Sequence, residues 1–147
     1  MRYVHTNLIA KDWRRLAQFY IDEFDCRVVP PERDYSGPEV SAGSGLPQVH
    51  LRGVHLRLPG WGEAGPTLEI FSYDEPVDGG CKAVNRLGYG HIAFEVDDVT
   101  TTRSELLARG CQPVGEVVTL TTSAGSKVTW CYLVDPEGNA VELQSWS

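Results

Sequence analysis

Residues 68–73 read LEIFSY and residues 141–146 read VELQSW. Both run apolar, Glu, apolar, variable, Ser, aromatic, at an offset of 73. A lone carboxylate among apolar strand residues is poor material for a buried face. Glu142, flanked by Ala140, Val141 and Leu143, therefore faces either water or something buried that needs its charge. Self-similarity at a fixed offset is the mark of an internal repeat. The histidines point the same way. HTNLIAKD starts at His5 and HIAFEVDD at His91, and each His stands seven positions before an Asp, Asp12 or Asp98. Each half thus begins with a strand carrying His and ends with a strand carrying Glu.

The segments between these strands fill in the plan. Asp12 is a plausible N-cap for a helix over about 13–24, where Trp13, Leu16, Tyr20 and Phe24 fall at helical spacing. The Pro-, Gly- and Ser-rich stretch VVPPERDYSGPEVSAGSGLP starts as a short strand and then reads mainly as loop. VHLRGVHLRLP gives one or two strands, with Gly53 expected as a bulge or kink that changes side-chain phase. GWGEAGP is a turn, and TLEIFSY closes the first module. DEPVDGGCKAVNRLG links the modules. The second half repeats the plan: a strand over 90–97, a helix over about 99–109 with Gly110 as its C-cap, then further strands. DPEG at 135–138 suits a type I turn and makes a hairpin of KVTWCYLV and NAVELQSW. The reading is one domain over 1–147, built from βαβββ modules at about 1–75 and 88–147. The class is α+β with a curved mixed sheet, since the helices are too few for a doubly wound parallel sheet.

Composition narrows the function. A chain of 147 residues can bury a real core. A formal charge of −7 and an isoelectric point near 5.0 oppose binding to nucleic acid or to an anionic membrane surface. No apolar run is long enough to span a bilayer, and MRYVHTNLIAKDW reads as entering a strand rather than as a signal peptide. Cys26, Cys81, Cys111 and Cys131 form no CxxC pair, so reduced thiols in a cytoplasmic protein are expected.

Strand parity selects the candidate site. Alternate residues share a face, so His5 sides with Asn7 and Ile9, and His91 with Ala93 and Glu95. Likewise Glu69 sides with Phe71 and Tyr73, and Glu142 with Gln144 and Trp146. If first and last strands adjoin in each module and the modules pair about a pseudo-twofold, His5, Glu69, His91 and Glu142 meet. Two imidazoles and two carboxylates neutralise a divalent cation and leave positions open on an octahedral ion. Zinc, nickel, cobalt, iron and manganese all accept such donors. Asn7, Phe71, Glu95 and Gln144 would line the substrate pocket beside them. Glu95, about 13 Å along its strand from His91, would meet the distal end of a substrate. His50 and His55, in twin VHLR segments without a counterpart in the second half, read as ordinary satisfied polar residues.

The opening HTNLIAKDWRRLAQFYIDEFD and the closing GHIAFEVDD and YLVDPEGNAVEL resemble the vicinal oxygen chelate superfamily, which includes glyoxalase I, epimerases, extradiol dioxygenases and bleomycin-binding proteins. The likeness covers nearly the whole chain. It implies that the four family ligand positions fall on His5, Glu69, His91 and Glu142, the set glyoxalase I uses. It also implies a metal-dependent lyase or isomerase, with Glu142 or Glu69 as the base and an enediolate- or enolate-type intermediate of a small oxygen-chelating carbonyl substrate. A homodimer is expected. Glyoxalase I places Arg four residues after its first His; here that place holds Ile9, and its counterpart in the second half holds Glu95. A glutathione adduct is therefore not expected as substrate. Two other readings stay open. One is a metal-free protein that sequesters a flat ligand between aromatics such as Trp13, Trp61, Trp130 and Trp146. The other is a non-haem iron extradiol dioxygenase, in which one glutamate would stay uncoordinated.

Overall fold

The computed structural model describes residues 1–80 and 82–147, so the expected thiol at Cys81 lies outside the described residues. The chain divides into two compact units, Met1–Asp78 and Gly79–Ser147. The first contains β1 (His5–Ile9), α1 (Trp13–Phe24), β2 (Arg27–Ser36), α2 (Pro38–Ser44), β3 (His50–Arg57) and β4 (Thr67–Tyr73). The second contains β5 (His91–Glu95), α3 (Val99–Ala108), β6 (Gln112–Thr121), β7 (Lys127–Val134) and β8 (Ala140–Trp146). Each unit folds one four-stranded mixed sheet, in the orders β1-β4-β3-β2 and β5-β8-β7-β6. The internal repeat and the α+β class are thus realised strand for strand. No helix among the described residues is long and apolar enough to cross a membrane.

The helices form where sequence chemistry allows. Asp12 caps α1 by accepting from the Arg15 backbone N–H at 3.1 Å, and its extended φ of −125° starts the turn. Trp13, Leu16, Ala17, Tyr20 and Phe24 form the buried stripe. The helix ends at Asp25, in the left-handed region at φ 52°. Asp98 repeats the N-cap in α3, accepting from the Thr101 N–H at 2.6 Å. The C-cap there is Arg109, and Gly110 at φ 98° follows it rather than forming it.

Each helix covers one face of its sheet, and the strands divide their residues accordingly. In β4, Leu68 and Ile70 are fully buried, opposite Leu56 and Val54 of β3. In β8, Val141 and Leu143 face Leu133 and Cys131 of β7. Burying each Leu or Ile contributes about 1.5–3 kcal/mol. Glu69 and Glu142 are the odd-parity residues between them and point to the sheet face away from this core.

Two expectations are corrected. The stretch expected as loop after Val29 is strand and helix: β2 continues to Ser36, and α2 follows. Pro30 and Pro31 fit a strand here because β2 is an edge and its register with β3 shifts between Val29 and Arg33, where missing N–H donors cost nothing. Pro38 then opens α2 in its first turn, and Gly45 at φ 71° ends it. Gly53 is not a bulge, since β3 pairs with β4 without interruption from Leu51 to Arg57. Glycine is needed there for close approach: a Cβ would lie 2.0 Å from the Ile70 carbonyl oxygen and 2.3 Å from the Phe71 ring. DPEG makes the expected turn, with the Gly138 N–H donating to the Asp135 carbonyl at 2.9 Å.

Candidate functional site

The parallel pairing of β1 with β4 sets Asn7 beside Glu69. His5, two residues earlier on the same face, brings Nδ1 within 3.3 Å of Glu69 Oε1. The Asn7 side-chain amide donates to Oε2 at 3.3 Å. On the other side of β4, antiparallel β3 places His55 directly across from Glu69, with Nε2 at 3.1 Å from Oε1. Phe71 closes this cluster, its ring 5.8 Å from the His55 ring in an edge contact. Burial holds the His55 imidazole below its ordinary pKa, and the charge of Glu69 opposes that shift.

The second unit repeats the arrangement. β5 runs parallel to β8 with Ala93 beside Glu142 and Glu95 beside Gln144. His91 Nε2 lies 3.1 Å from Glu142 Oε2. Tyr132 is the residue directly across from Glu142 on β7. Its hydroxyl hydrogen-bonds Glu142; burial pushes the phenol pKa up, and the carboxylate adds to the shift. The Tyr132 ring lies 5.0 Å from that of His91 and 5.0 Å from that of Trp130. Trp130 stands across from Gln144, and Glu95 beyond it is exposed.

The eight sequence-derived site residues thus form two local groups. His5, Asn7, Glu69 and Phe71 belong to the first unit, and His91, Glu95, Glu142 and Gln144 to the second. The two carboxylates share one electrostatic character. Glu69 and Glu142 are only 13% and 14% exposed, and their ion-pair contacts among the described residues are all with histidines. Among the described residues no Lys or Arg forms an ion pair with either one. In each unit the carboxylate meets its imidazole at hydrogen-bonding distance. Among the described residues no three His, Cys, Asp or Glu side chains have metal-holding geometry.

His55 departs from its sequence reading, which gave it no part in the site and no counterpart in the second half. It touches Glu69, and its counterpart is Tyr132. The missed signal was hairpin arithmetic. Positions 55 and 69 sum to 124, as do 57 and 67, and so centre on residue 62 inside the GWGEAGP turn. Positions 132 and 142 sum to 274 and centre on residue 137 in DPEG. His50 keeps the structural role expected of it: Nε2 meets Asp34 at 2.6 Å and Nδ1 meets Asp74 at 3.1 Å. Arg52 also binds Asp74.

Residues 2–143 match the family described as the Glyoxalase/Bleomycin resistance protein/Dioxygenase superfamily, and the chain belongs to it. Among solved structures it is similar to a glyoxalase family protein from Bacillus cereus, with a TM-score of 0.83 at 21% identity, covering 99% of this chain and 94% of that one. It is also similar to the trypanothione-dependent glyoxalase I of Leishmania major, with a TM-score of 0.62 at 23% identity, covering 99% and 86% respectively. A virulence protein from Salmonella typhimurium aligns with a TM-score of 0.58 at 16% identity over 100% and 98%. At these identities the likeness is one of fold. No curated protein matches the chain.

Proposed function

We propose that this chain is a divalent-metal-dependent enzyme of the lyase or isomerase type. Its substrate is a small oxygen-chelating carbonyl compound and not a glutathione adduct. His5, Glu69, His91 and Glu142 are the ligands. The reading is carried by one observation: a His–Glu pair is built at the same place in both repeats, at 3.3 Å in one and 3.1 Å in the other. The donor set fits a cation. Two nearly buried carboxylates whose ion-pair contacts among the described residues are with histidines alone present negative charge that a cation would balance, and partly buried charge is costly unless paired. Two imidazoles and two carboxylates suit zinc, nickel, cobalt, iron or manganese. Free thiols at Cys26 and Cys131 suit a cytoplasmic enzyme, and a homodimer belongs to the same reading.

A bound divalent ion would supply Lewis acidity to the substrate carbonyl, lowering the pKa of the adjacent C–H and favouring an enediolate- or enolate-type intermediate. Proton movement falls to the chain. The carboxylate of Glu69 or Glu142 takes the proton from carbon and returns it at the neighbouring position. Asn7 holds Glu69 through Oε2 and Tyr132 holds Glu142, so each carboxylate presents a defined edge. Phe71 and Trp130 supply apolar walls that limit water.

The test is Glu142→Gln, which keeps shape and removes charge. Metal content of protein purified and reloaded under one protocol should fall well below wild type, with the circular dichroism spectrum retained. Unchanged metal stoichiometry in the folded variant would overturn the assignment.

A further inference from the structure

The first unit contains a cavity of about 250 Å³ that reaches His55, the partner of Glu69, and is lined by Arg2, Val29, His55, Arg57, Glu63 and Thr67 among others. Thr67 is the register partner of both His5 and Arg57, which ties the cavity to the candidate site through three adjacent strands. Arg57 is the unusual group. Its Nη1 donates to the Gly65 carbonyl, which fixes the guanidinium, while its Nε is buried and has no hydrogen-bond partner. Because that Nε is sealed from solvent, a guest in the cavity would be held by the Nη edge of the guanidinium rather than by Nε.

Charge says what kind of guest. Arg2 and Arg57 line the cavity against Glu63 alone, leaving it net positive in a protein of net charge −7. Arg33 adds positive potential at His55. A larger neighbouring cavity of about 590 Å³ is also lined by Arg57, but there Arg27 and Arg57 meet Asp25 and Glu63 and the charges balance. Size limits the guest further. At about 30 Å³ per water, the smaller cavity holds the equivalent of about eight waters, enough for an oxyanion and a few carbons but not a tripeptide.

We infer that this cavity is an oxyanion subsite: Arg57 and Arg2 hold the carboxylate or phosphate end of a short substrate whose chelating oxygens reach the His5–Glu69 pair. The substrate class is then a small oxo- or hydroxy-acid, or its phosphorylated equivalent. The inference deepens the proposed function and relies on it only for what happens at the other end of the substrate. Ile9 and Glu95 do not oppose it. Each lies four residues along its strand from the site histidine, about 13 Å at ordinary strand rise.

The test uses metal-stripped full-length protein, so that its outcome is independent of the metal assignment. Calorimetric titrations at low salt with pyruvate, with inorganic phosphate and with uncharged hydroxyacetone should give saturable binding of at least one anion, with hydroxyacetone at least about tenfold weaker. Pyruvate against phosphate identifies the preferred oxyanion. Arg57→Gln should weaken anion binding about tenfold, and Arg57→Lys should restore part of it. If Arg57→Gln does not fold, Arg2→Gln in the exposed segment before β1 decides, with a loss of about threefold or more. Absence of saturable anion binding by the wild type, equal binding of hydroxyacetone, or unchanged binding in the folded variants would overturn the inference. None of these results bears on the metal content of Glu142→Gln.

Discussion

Tyr132 stands in the second repeat where His55 stands in the first: each is the strand neighbour directly across from its unit's glutamate. The repeat therefore preserves the carboxylate and its first-strand histidine but varies the group that steadies the carboxylate. An imidazole and a phenol do this differently. The Tyr hydroxyl donates one hydrogen bond, whereas His55 must choose a tautomer and competes with His5 for the same oxygen, Glu69 Oε1.

Removing the phenol oxygen tests that role. Tyr132→Phe keeps the ring against His91 but strips the hydrogen bond from Glu142. Because groups that orient a metal ligand commonly govern affinity by one to two orders of magnitude, metal affinity should fall about tenfold with melting temperature nearly unchanged. Competitive chelator titration of the variant against wild type measures it. Equal affinities would reduce Tyr132 to a packing residue.

Gly53→Ala tests the close approach of β3 to β4. Its new methyl would press on the Ile70 carbonyl oxygen, a backbone atom that cannot swing aside. Overpacking of this kind costs about 1–3 kcal/mol, and the upper half of that range is expected here. Urea unfolding monitored by tryptophan fluorescence checks it, and a midpoint equal to wild type would contradict the packing.

The α1 cap gives a smaller effect. Asp12→Ala removes the acceptor for the Arg15 N–H and should lower stability by about 1 kcal/mol. Asp12→Asn, which can still accept that bond, should recover most of the loss in the same denaturation experiment.

Asp98 adds a pH dependence. Hydrogen bonds from Thr101 and Thr100 hold its carboxyl below the ordinary value of 3.8. A carboxyl depressed in the folded state contributes stability above the unfolded pKa, and that contribution is lost as pH falls through the folded one. The difference in melting temperature between wild type and Asp98→Ala should therefore be constant near neutrality and shrink below about pH 4. A difference that stayed level down to pH 2 would mean that the carboxylate charge is irrelevant to the cap.

The absent glutathione contacts can be checked by activity. Ile9 stands where glyoxalase I carries Arg, and Glu95 is exposed on the corresponding strand of the second unit. A like-charge contact disfavours an anionic tripeptide by up to several kcal/mol. Metal-replete protein should turn over the methylglyoxal–glutathione hemithioacetal weakly or not at all in a steady-state assay. Efficient turnover would assign glutathione binding to other cations.

Much of this was legible in the chain because parity and capping are local rules. Glu142 between Val141 and Leu143 marks a strand with two kinds of face, and Asp12 followed by Trp13, Leu16 and Tyr20 marks a helix start. The failures came where local composition and tertiary placement disagree. Pro30, Pro31 and Ser36 look like loop until β2 proves to be an edge with a register shift, where prolines lose no hydrogen bonds. Gly53 looks like a kink until the Phe71 ring is seen against it. His55 looked idle because no motif repeats it. Only the pairing of β3 with β4, fixed by the turn centred on residue 62, puts it on Glu69.

The broken edge of β2 has a wider consequence. A two-sheet protein doubles its stock of open sheet borders, and each is an invitation to polymerise. β2 interrupts its border at Val29–Arg33 with two prolines, and β6 does so between Val114 and Val118, next to Pro113 and with Gly115 at φ 71°. Interrupted borders make poor templates for an incoming strand. Two of the four outer strands thereby carry a built-in guard against fibrillation, and straightening these two at once should cost colloidal stability before it costs fold.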